Sequence, residues 1–290
     1  MSRLNGIIAA LERGEHAFAS FVAPEVSAAT EFASTDYDGL VFECEHKPWD
    51  VPTLRDCLQY LLNRRQIFES ETLMPAVTPI VRIPPNGAEL AQWHAKQALD
   101  LGFFGVVWPH ITSVAEAYNA VAACRYPRLD GEARYEPRGI RGDSPAAAAR
   151  YWGIPTPDYY RRADVWPLDP EGEILVAIMI EDVAGIESLP AILDGVPGIA
   201  LVLIGEGDLS QELGHPREYQ HPDVMAHKRH VLEVCGARGV AVGHPHVTAA
   251  NVEQVIEDGY RFLMAAPVKR YDALERGREL AGRELQPGRA

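Results

Sequence analysis

Two carboxylates, Glu181 and Asp208, each follow an apolar run of the chain. The runs 174–180 and 199–204 read as buried parallel strands, and a helical segment separates them. Neighbouring parallel strands end on one face, roughly 5 Å apart, so both acids can converge on one point. Two converging carboxylates suit a hard divalent cation such as Mg²⁺ or Mn²⁺. The alternative is that each acid only caps the helix that follows it.

Glycines lie on both sides of Glu206, at Gly205 and Gly207, directly before Asp208. Glycine has no side chain to keep a ligand away from the backbone, so a small anion can approach closely at this point. We therefore expect Gly205, Gly207 and Asp208 to contact the substrate.

Other predicted strands also end in polar residues. These residues are Glu43, Glu45, His46, Arg82, His110, His244 and His246. In a parallel barrel they share one rim with the acid pair. Their coincidence on one face indicates a functional site more strongly than any single strand end does.

His46 is a candidate general acid or base, because its ordinary pKa of roughly 6.5 suits proton transfer at neutral pH. Glu43 is placed to hold its tautomer or share its proton, and a surface histidine in a loop is the alternative. Arg82 offers a planar fork of donors that can clamp a carboxylate or stabilise an enolate oxygen. A structural ion pair with Glu43 or Glu45 is the alternative for Arg82.

His244 and His246 lie one residue apart on extended backbone, so their side chains point to opposite sides and make poor co-ligands for one metal. Substrate contact and a structural role both stay open for them. Trp108 and Trp49 are candidates for the pocket wall, with core packing as the alternative.

Eight apolar runs read as strands, and each is followed by a helical segment. Their centres lie near residues 19, 41, 79, 106, 177, 202, 241 and 263. This repetition predicts an α/β fold, a single-domain (β/α)8 TIM barrel over residues 1–275. A doubly wound open sheet is less favoured, because no glycine-rich phosphate fingerprint follows the first strand.

The segment 126–173 is rich in proline, glycine and arginine and has little periodicity. We expect a long loop excursion with one or two helices, lying at the face where the strands end. Its Arg138 and Arg141 either steer an acidic substrate or form internal ion pairs. Residues 276–290 are expected to form the end of the last helix and a mobile tail.

The net charge of −14 disfavours nucleic acid or an anionic membrane as the main partner. The four cysteines form no CxxC pair and are typical of reduced thiols in a cytoplasmic protein. No apolar run reaches the roughly 20 residues of a membrane span. The first 16 residues form an amphipathic helix pattern without the apolar core of a signal peptide.

The chain resembles the class II pyruvate aldolases of the 4-hydroxy-2-oxoheptanedioate aldolase (HpcH/HpaI) family over roughly residues 15–270. The matching stretches are 45–46, 81–84, 125–127, 138–142, 180–181, 205–210 and 221–222. Each stretch is short, but their combination and spacing are specific.

The resemblance implies a (β/α)8 barrel that binds Mg²⁺, Mn²⁺ or Co²⁺ through Glu181 and Asp208. The implied reaction is the reversible cleavage of a 4-hydroxy-2-oxoacid to pyruvate, or a related 2-oxoacid, and an aldehyde. Arg82 would stabilise the enolate, and His46 with its acidic neighbour would manage protons. The resemblance also implies a homo-oligomer, either a trimer or a hexamer, and a place in aromatic degradation.

The chain departs from the family pattern at three places. Glu43 and Cys44 stand where the family has aspartate and glycine before Glu45, and Glu206 stands where a small residue or proline is usual. Glu206 is therefore expected to bring a third carboxylate near the metal. The lengthened segment 126–173 is expected to cover the mouth, which favours a bulky or aromatic aldehyde.

Two other functions remain open on the same fold. One is an acyl-CoA lyase like the citrate lyase β-subunit and malyl-CoA lyase, but Glu45 with His46 matches the free-acid enzymes, and no basic nucleotide-binding patch is evident. The other is a non-catalytic barrel, which the joint presence of His46, Arg82 and the acid pair disfavours.

Overall fold

Eight parallel strands close into a barrel in the computed structural model, which describes residues 2–84, 89–266 and 272–283. With the short strand β5, which lies beside the barrel, the strands are β1 (Ala17–Val22), β2 (Gly39–Glu43), β3 (Thr78–Arg82), β4 (Gly105–Trp108), β5 (Val165–Trp166), β6 (Ile174–Ile180), β7 (Leu201–Ile204), β8 (Ala241–Val247) and β9 (Phe262–Ala265). The barrel order is β4-β3-β2-β1-β9-β8-β7-β6, and pairing of β4 with β6 closes it. The eight predicted strands and the single-domain TIM barrel are confirmed. The two-residue β5, which was not predicted, pairs only with the start of β6.

Helices surround the barrel. They are α1 (Gly6–Glu12), α2 (Val26–Phe32), α3 (Val51–Tyr60), α4 (Arg64–Glu69), α5 (Gln92–Leu101), α6 (Val114–Ala123), α7 (Ala146–Trp152), α8 (Thr156–Arg162), α9 (Val183–Gly195), α10 (Glu206–Glu212), α11 (Pro222–Gly236), α12 (Val252–Glu257) and α13 (Asp272–Leu280). All seven residues of β6 are buried, as expected for a strand covered on both faces. Within the described ranges, no helix has the length and apolarity needed to cross a membrane. Most of the predicted mobile tail, 284–290, lies outside the described residues.

The N-terminal helix α1 closes the end of the barrel where the strands begin. Asn5 caps α1 by accepting hydrogen bonds from the amides of Ile7 and Ile8. Its side-chain amide donates to the carbonyl oxygens of Phe104 and Glu173, both at 3.1 Å. The Glu173 carboxylate in turn accepts from the Asn5 amide at 2.9 Å. These bonds fix α1 to the starts of β4 and β6.

The excursion 126–173 also lies at this end, and its predicted position over the mouth is wrong. Helix α6 runs back along the outside of the barrel, so the chain has returned to the strand starts before the excursion begins. At its other end, β5 pairs with Ile174 and Leu175, the first residues of β6. Between these points, the Trp152 indole donates to the carbonyl oxygen of Gly102, just before β4. The expectation of a bulky aldehyde, which rested on this loop, loses its support.

Charged residues of the excursion form ion pairs with one another and with neighbouring elements. Arg125 is fully buried and donates to Asp164 from Nε at 2.6 Å and from Nη2 at 2.9 Å. Arg141 is also buried; it pairs with Asp100 at 3.0 Å and donates to the Tyr159 hydroxyl at 2.7 Å. Arg141 therefore has an internal, structural role at the end opposite the mouth, and substrate steering by Arg141 is wrong.

Candidate active site

Arg82 is held in one orientation by carboxylates at the mouth of the barrel. It ends β3 directly beside Glu43, the last residue of β2. Glu43 accepts hydrogen bonds from Nε of Arg82 at 2.8 Å and from Nη2. The remaining terminal nitrogen, Nη1, lies 2.8 Å from Glu45 Oε2 and 3.6 Å from the Met179 sulfur. The guanidinium also covers the Phe21 ring at 4.5 Å, so both its charge and its plane are fixed.

Glu43 orients the loop after β2 as well as Arg82. Its second oxygen accepts from the backbone amides of Glu45 at 2.8 Å and His46 at 3.0 Å. Within the described residues, no hydrogen bond joins Glu43 to the imidazole of His46. The predicted role of Glu43 as partner of the imidazole is therefore corrected to positioning Arg82 and this loop.

His46 lies at the edge of the site with 68% of its side chain exposed. Its Nε2 is 3.6 Å from Glu45 Oε2, so Glu45 is its acidic neighbour. An exposed imidazole beside a buried carboxylate can exchange protons between a bound molecule and solvent.

Glu45, His110 and Glu181 form a cluster deeper in the mouth, with one ligand atom of each within 4.8 Å of the others. The His110 amide donates to Glu181 Oε1 at 2.9 Å, and its Nε2 lies 3.2 Å from Glu45 Oε1. Backbone and side chain of His110 reach the two acids together because its φ is +54°, in the left-handed region. Such a conformation in a residue other than glycine is often found at functional sites.

The cluster carries more negative than positive charge. Burial, together with the neighbouring charges of Glu45 and Asp208, raises the pKa of Glu181 to about 7. A hydrogen bond from His110 to Glu45, reinforced by the charges of Glu181 and Asp208, raises the pKa of His110 to about 9. A divalent cation would relieve this repulsion, and the carboxylates and imidazole are ligands that such cations accept.

Asp208 belongs to the first turn of α10 and is exposed at the mouth. Its charge acts on both Glu181 and His110, but among the described residues it does not belong to the group of ligand atoms within 4.8 Å, and its role as a metal ligand stays a prediction. Gly205, the N-cap of α10, has a steric role. A Cβ placed there would lie 2.2 Å from Glu181 Oε2, and only glycine leaves space for that carboxylate.

Glu206 is committed to a separate network, contrary to its expected role as a third carboxylate near the metal. It is 1% exposed and lies 2.5 Å from the Lys228 ammonium and 2.5 Å from His246 Nδ1. Although burial opposes ionisation, His246 and Lys228 lower the pKa of Glu206 to about 2. His244 is buried beside the Tyr260 ring, and burial lowers its pKa to about 4. Both histidines therefore support the structure of this rim.

Trp108 is 0% exposed, so the predicted contact between this indole and a substrate is wrong for this conformation. Gly207 has open space where a Cβ would lie, so close ligand approach there remains a prediction.

The sequence gives little sign of the importance of His110. Its position after the fourth strand was visible, but its left-handed backbone was not.

A closed (β/α)8 barrel with its ionisable side chains gathered at the strand ends is the architecture of a barrel enzyme. Residues 21–266 match the family model described as HpcH/HpaI aldolase/citrate lyase, and the chain belongs to this family. It is similar to the 5-keto-4-deoxy-D-glucarate aldolase of Enterobacter sp. (strain 638), with 31% identity over 78% of this chain and 76% of that protein. The chain is therefore a class II aldolase, a carbon–carbon lyase.

Solved structures agree with the fold. A family member from Burkholderia cenocepacia J2315 has a TM-score of 0.70 and 26% identity, covering 92% of this chain and 93% of that one. An aldolase of the family from Desulfitobacterium hafniense DCB-2 has a TM-score of 0.71 at 21% identity, covering 89% and 88%. The second likeness bears on the fold alone.

Proposed function

We propose that the chain reversibly cleaves a 4-hydroxy-2-oxoacid to pyruvate, or a related 2-oxoacid, and an aldehyde. The observation that carries this proposal is the fixed Arg82 beside a cluster of partly uncompensated carboxylates. Cleavage between C3 and C4 leaves an electron pair on the 2-oxoacid fragment as an enolate. Arginine and a bound cation are the groups that stabilise such a charge.

Glu181 and Asp208 are proposed to hold the divalent metal, with Glu45 and His110 beside them. When bound, the ion would act as a Lewis acid toward the carboxylate and keto oxygens of the 2-oxoacid. Carboxylates suit Mg²⁺ and Mn²⁺, whereas the His110 imidazole favours Mn²⁺ or Co²⁺ over Mg²⁺. The residues present fit such an ion because ligand atoms of Glu45, His110 and Glu181 lie within 4.8 Å of one another, and Glu181 is 3% exposed.

Arg82 would bind the developing enolate oxygen. Two of its nitrogens are occupied by Glu43, which leaves Nη1 as the donor facing the cluster. Arg82 is only 9% exposed, so little water screens its charge. A fixed donor costs no reorganisation when the charge develops.

His46 and Glu45 are proposed to manage protons. One of them takes the proton of the 4-hydroxyl, the C3–C4 bond breaks, and the aldehyde leaves as its carbonyl forms. A proton then returns to C3 and gives the 2-oxoacid. The exposure of His46 connects this relay to solvent.

The proposal is tested by exchange of pyruvate C3 protons in deuterated water, followed by NMR with Mg²⁺, Mn²⁺ or Co²⁺ and again with EDTA. We expect metal-dependent exchange that is lost in Arg82→Ala and Glu181→Gln. Glu187→Gln, at an exposed position on α9, is the matched control and should exchange normally. No exchange with any metal, beside an active aldolase run in parallel, would contradict the proposal.

Cleavage is then measured with a panel of 4-hydroxy-2-oxoacids that includes 5-keto-4-deoxy-D-glucarate, the compound named for the Enterobacter relative. An acyl-CoA panel distinguishes the CoA-lyase alternative. A trimer or hexamer is also proposed, and light scattering tests it; a monomer at working concentration would contradict it. The cytoplasmic location and a place in aromatic degradation remain predictions.

A further inference from the structure

Helix α4 has its polar residue inside and its apolar residues outside. Gln66 is the buried residue of α4, and its side-chain amide donates to Ser70 Oγ and to the carbonyl oxygen of Met74, both at 3.1 Å. By contrast, Phe68 is 89% exposed and Ile67 is 55% exposed. The hydrogen bonds of Gln66 fix which side of α4 faces the barrel, so the fold itself holds the apolar pair outward. Exposed apolar surface of this kind indicates a contact surface.

Two exposed charged residues flank this apolar pair. Arg64, Ile67 and Phe68 follow one another at helical spacings of three and one, so they lie on the same exposed side of α4. Glu71 is exposed just beyond the end of the helix. Neither Arg64 nor Glu71 forms an ion pair with a residue that the structure describes. We call Arg64, Ile67, Phe68 and Glu71 the α4 face: a base and an acid, both unpaired, on either side of an apolar centre.

The order of charges along α4 opposes its helix dipole. Arg64 and Arg65 occupy the first turn and Glu69 the last, whereas the dipole favours acids at the start of a helix and bases at its end. The ion pair of Arg65 with Glu69, at 2.9 Å, offsets part of this cost, but Arg64 has no such compensation. A second α4 helix running antiparallel would place the basic start of each helix beside the acidic end of the other. The charge order therefore suits self-pairing.

A cavity of about 400 Å³ opens beside the α4 face, between the segment 61–76 and α7. Ile67, Leu73 and Tyr151 contribute to its wall, which is more apolar than polar. A cavity of this size has room for an aromatic side chain. In an antiparallel pair of α4 helices whose twofold axis passes between Ile67 and Phe68, the Phe68 ring of each copy lies opposite Ile67 of the other. Each ring is then placed at the cavity of the other copy.

We propose that the α4 face binds a second copy of this chain across a twofold axis, with the two α4 helices antiparallel. Phe68 of each copy fills the cavity of the other, and Arg64 of each copy pairs with Glu71 of the other. Such a contact requires a self-complementary surface, and the α4 face carries both the projecting ring and the cavity, and both the base and the acid. Because the contact is twofold, the assembly is a dimer or a hexamer and not an isolated trimer. This contact is independent of the proposed aldol reaction.

The first test is sedimentation equilibrium of the untagged, full-length chain over a dilution series. Phe68→Asp should halve the mass of the assembly and raise the dissociation constant of the twofold contact at least about 100-fold, because a central aromatic ring is replaced by a charge. Circular dichroism should be unchanged, since Phe68 is exposed in the single chain. Leu129→Asp, at an exposed apolar position of the excursion, is the matched control and should keep the mass. A monomer or trimer for the unaltered chain, or an unchanged mass in Phe68→Asp, would overturn the proposal.

Charge reversal tests the antiparallel arrangement. Arg64→Glu alone, or Glu71→Arg alone, should raise the dissociation constant about tenfold, because both flanking contacts become repulsive. The chain that carries both reversals should associate as the unaltered chain does, and an equimolar mixture of the two single variants should form mixed pairs. This restoration distinguishes a second copy from a small apolar ligand or an unrelated protein on the same face. A double variant as weak as the single variants would contradict the arrangement. Mass is measured without turnover, so a failure of pyruvate exchange leaves this test unaffected.

Discussion

Both ends of the barrel are rich in charge, but only one end is balanced. Where the strands begin, cations and acids pair: Arg125, Arg128 and Arg162 face Asp164, Asp169 and Glu173. Where the strands end, Arg82 pairs with Glu43 and Glu45, while Glu181 lies in the negative fields of Glu45 and Asp208. Matched charges stabilise a structure, whereas a surplus of one sign costs stability and indicates a ligand of the other sign.

The size of a cavity does not identify the functional end. A cavity of about 670 Å³ lies at the start of the strands, between the segments 126–134 and 160–171. Its Arg128 and Arg134 are paired with Asp164 and Asp169, so it offers no unpartnered charge from these four residues. The mouth is distinguished by its electrostatics, in particular by the raised pKa of Glu181.

Glu181→Gln is expected to have the largest effect on activity, and it tests directly the surplus of negative charge at the mouth. Turnover should fall by at least about a thousandfold, because the proposed metal loses a ligand. Stability should not fall, since glutamine still accepts the His110 amide and removes repulsion with Glu45. Kinetics and urea unfolding on the same preparation measure both. A variant that loses stability but keeps its activity would show that Glu181 has a structural role, and would contradict the contrast between the two ends of the barrel.

Arg125→Ala tests the balanced end. It should lower the free energy of unfolding by about 3 kcal/mol, because Asp164 keeps only Arg128 as a charged partner and the carbonyl oxygens of Pro137 and Arg134 lose their donor. Metal-dependent exchange per folded molecule should stay unchanged. Urea unfolding measures the loss, and Arg138→Ala, at an exposed position of the excursion 126–173, is the control. Equal losses in the two variants would argue against a special role for the buried pair.

Glu206 is an exception at the mouth, because this acid is paired with cations like the acids at the opposite end of the barrel. Its pKa falls from 4.5 to about 2 on folding, which corresponds to about 3 kcal/mol at neutral pH. This contribution is present above pH 4.5 and is lost as the pH falls toward about 2. Stability curves of the unaltered chain and Glu206→Gln should therefore differ at pH 7 and converge at low pH. Parallel curves would show that the ion pair of Glu206 is not the source of the pH-dependent stability.

His110→Phe is expected to have the smallest effect, and it tests whether the imidazole contributes to the choice of metal at the mouth. Removing the imidazole should reduce the preference for Co²⁺ over Mg²⁺ by about tenfold, because oxygen ligands alone remain. Calorimetric titration with each ion measures the ratio of affinities. His94→Phe, a histidine packed against Trp49 and outside the cluster of Glu45, His110 and Glu181, is the comparison variant and should leave the ratio unchanged.

The strands and the acids at their ends were readable from the sequence because both follow short local patterns. The rule that parallel strands end together places Glu45, Glu181 and Asp208 on one rim. It does not reveal that the ligand atoms nearest Glu181 come from Glu45 and His110, and convergence of Glu181 with Asp208 on one metal stays a prediction. The composition of the excursion does not report which end of the barrel it covers, and α6 returns the chain to the strand starts before the excursion begins. The Lys228 partner of Glu206 and the left-handed φ of His110 depend on tertiary packing, which no local pattern reports.

The attachment of α1 has a consequence for the order of folding during synthesis. Asn5 reaches its partner Glu173 across 168 positions of sequence. At a translation rate of roughly 5–20 residues per second, that partner leaves the ribosome roughly 10–30 s after the helix does. In that interval α1 can already meet Gly39 on β2, which Ile7 contacts, and Thr78 on β3, which accepts from the Gly6 amide. Helix α1 can therefore dock in part early, but its attachment is completed only when the start of β6 emerges.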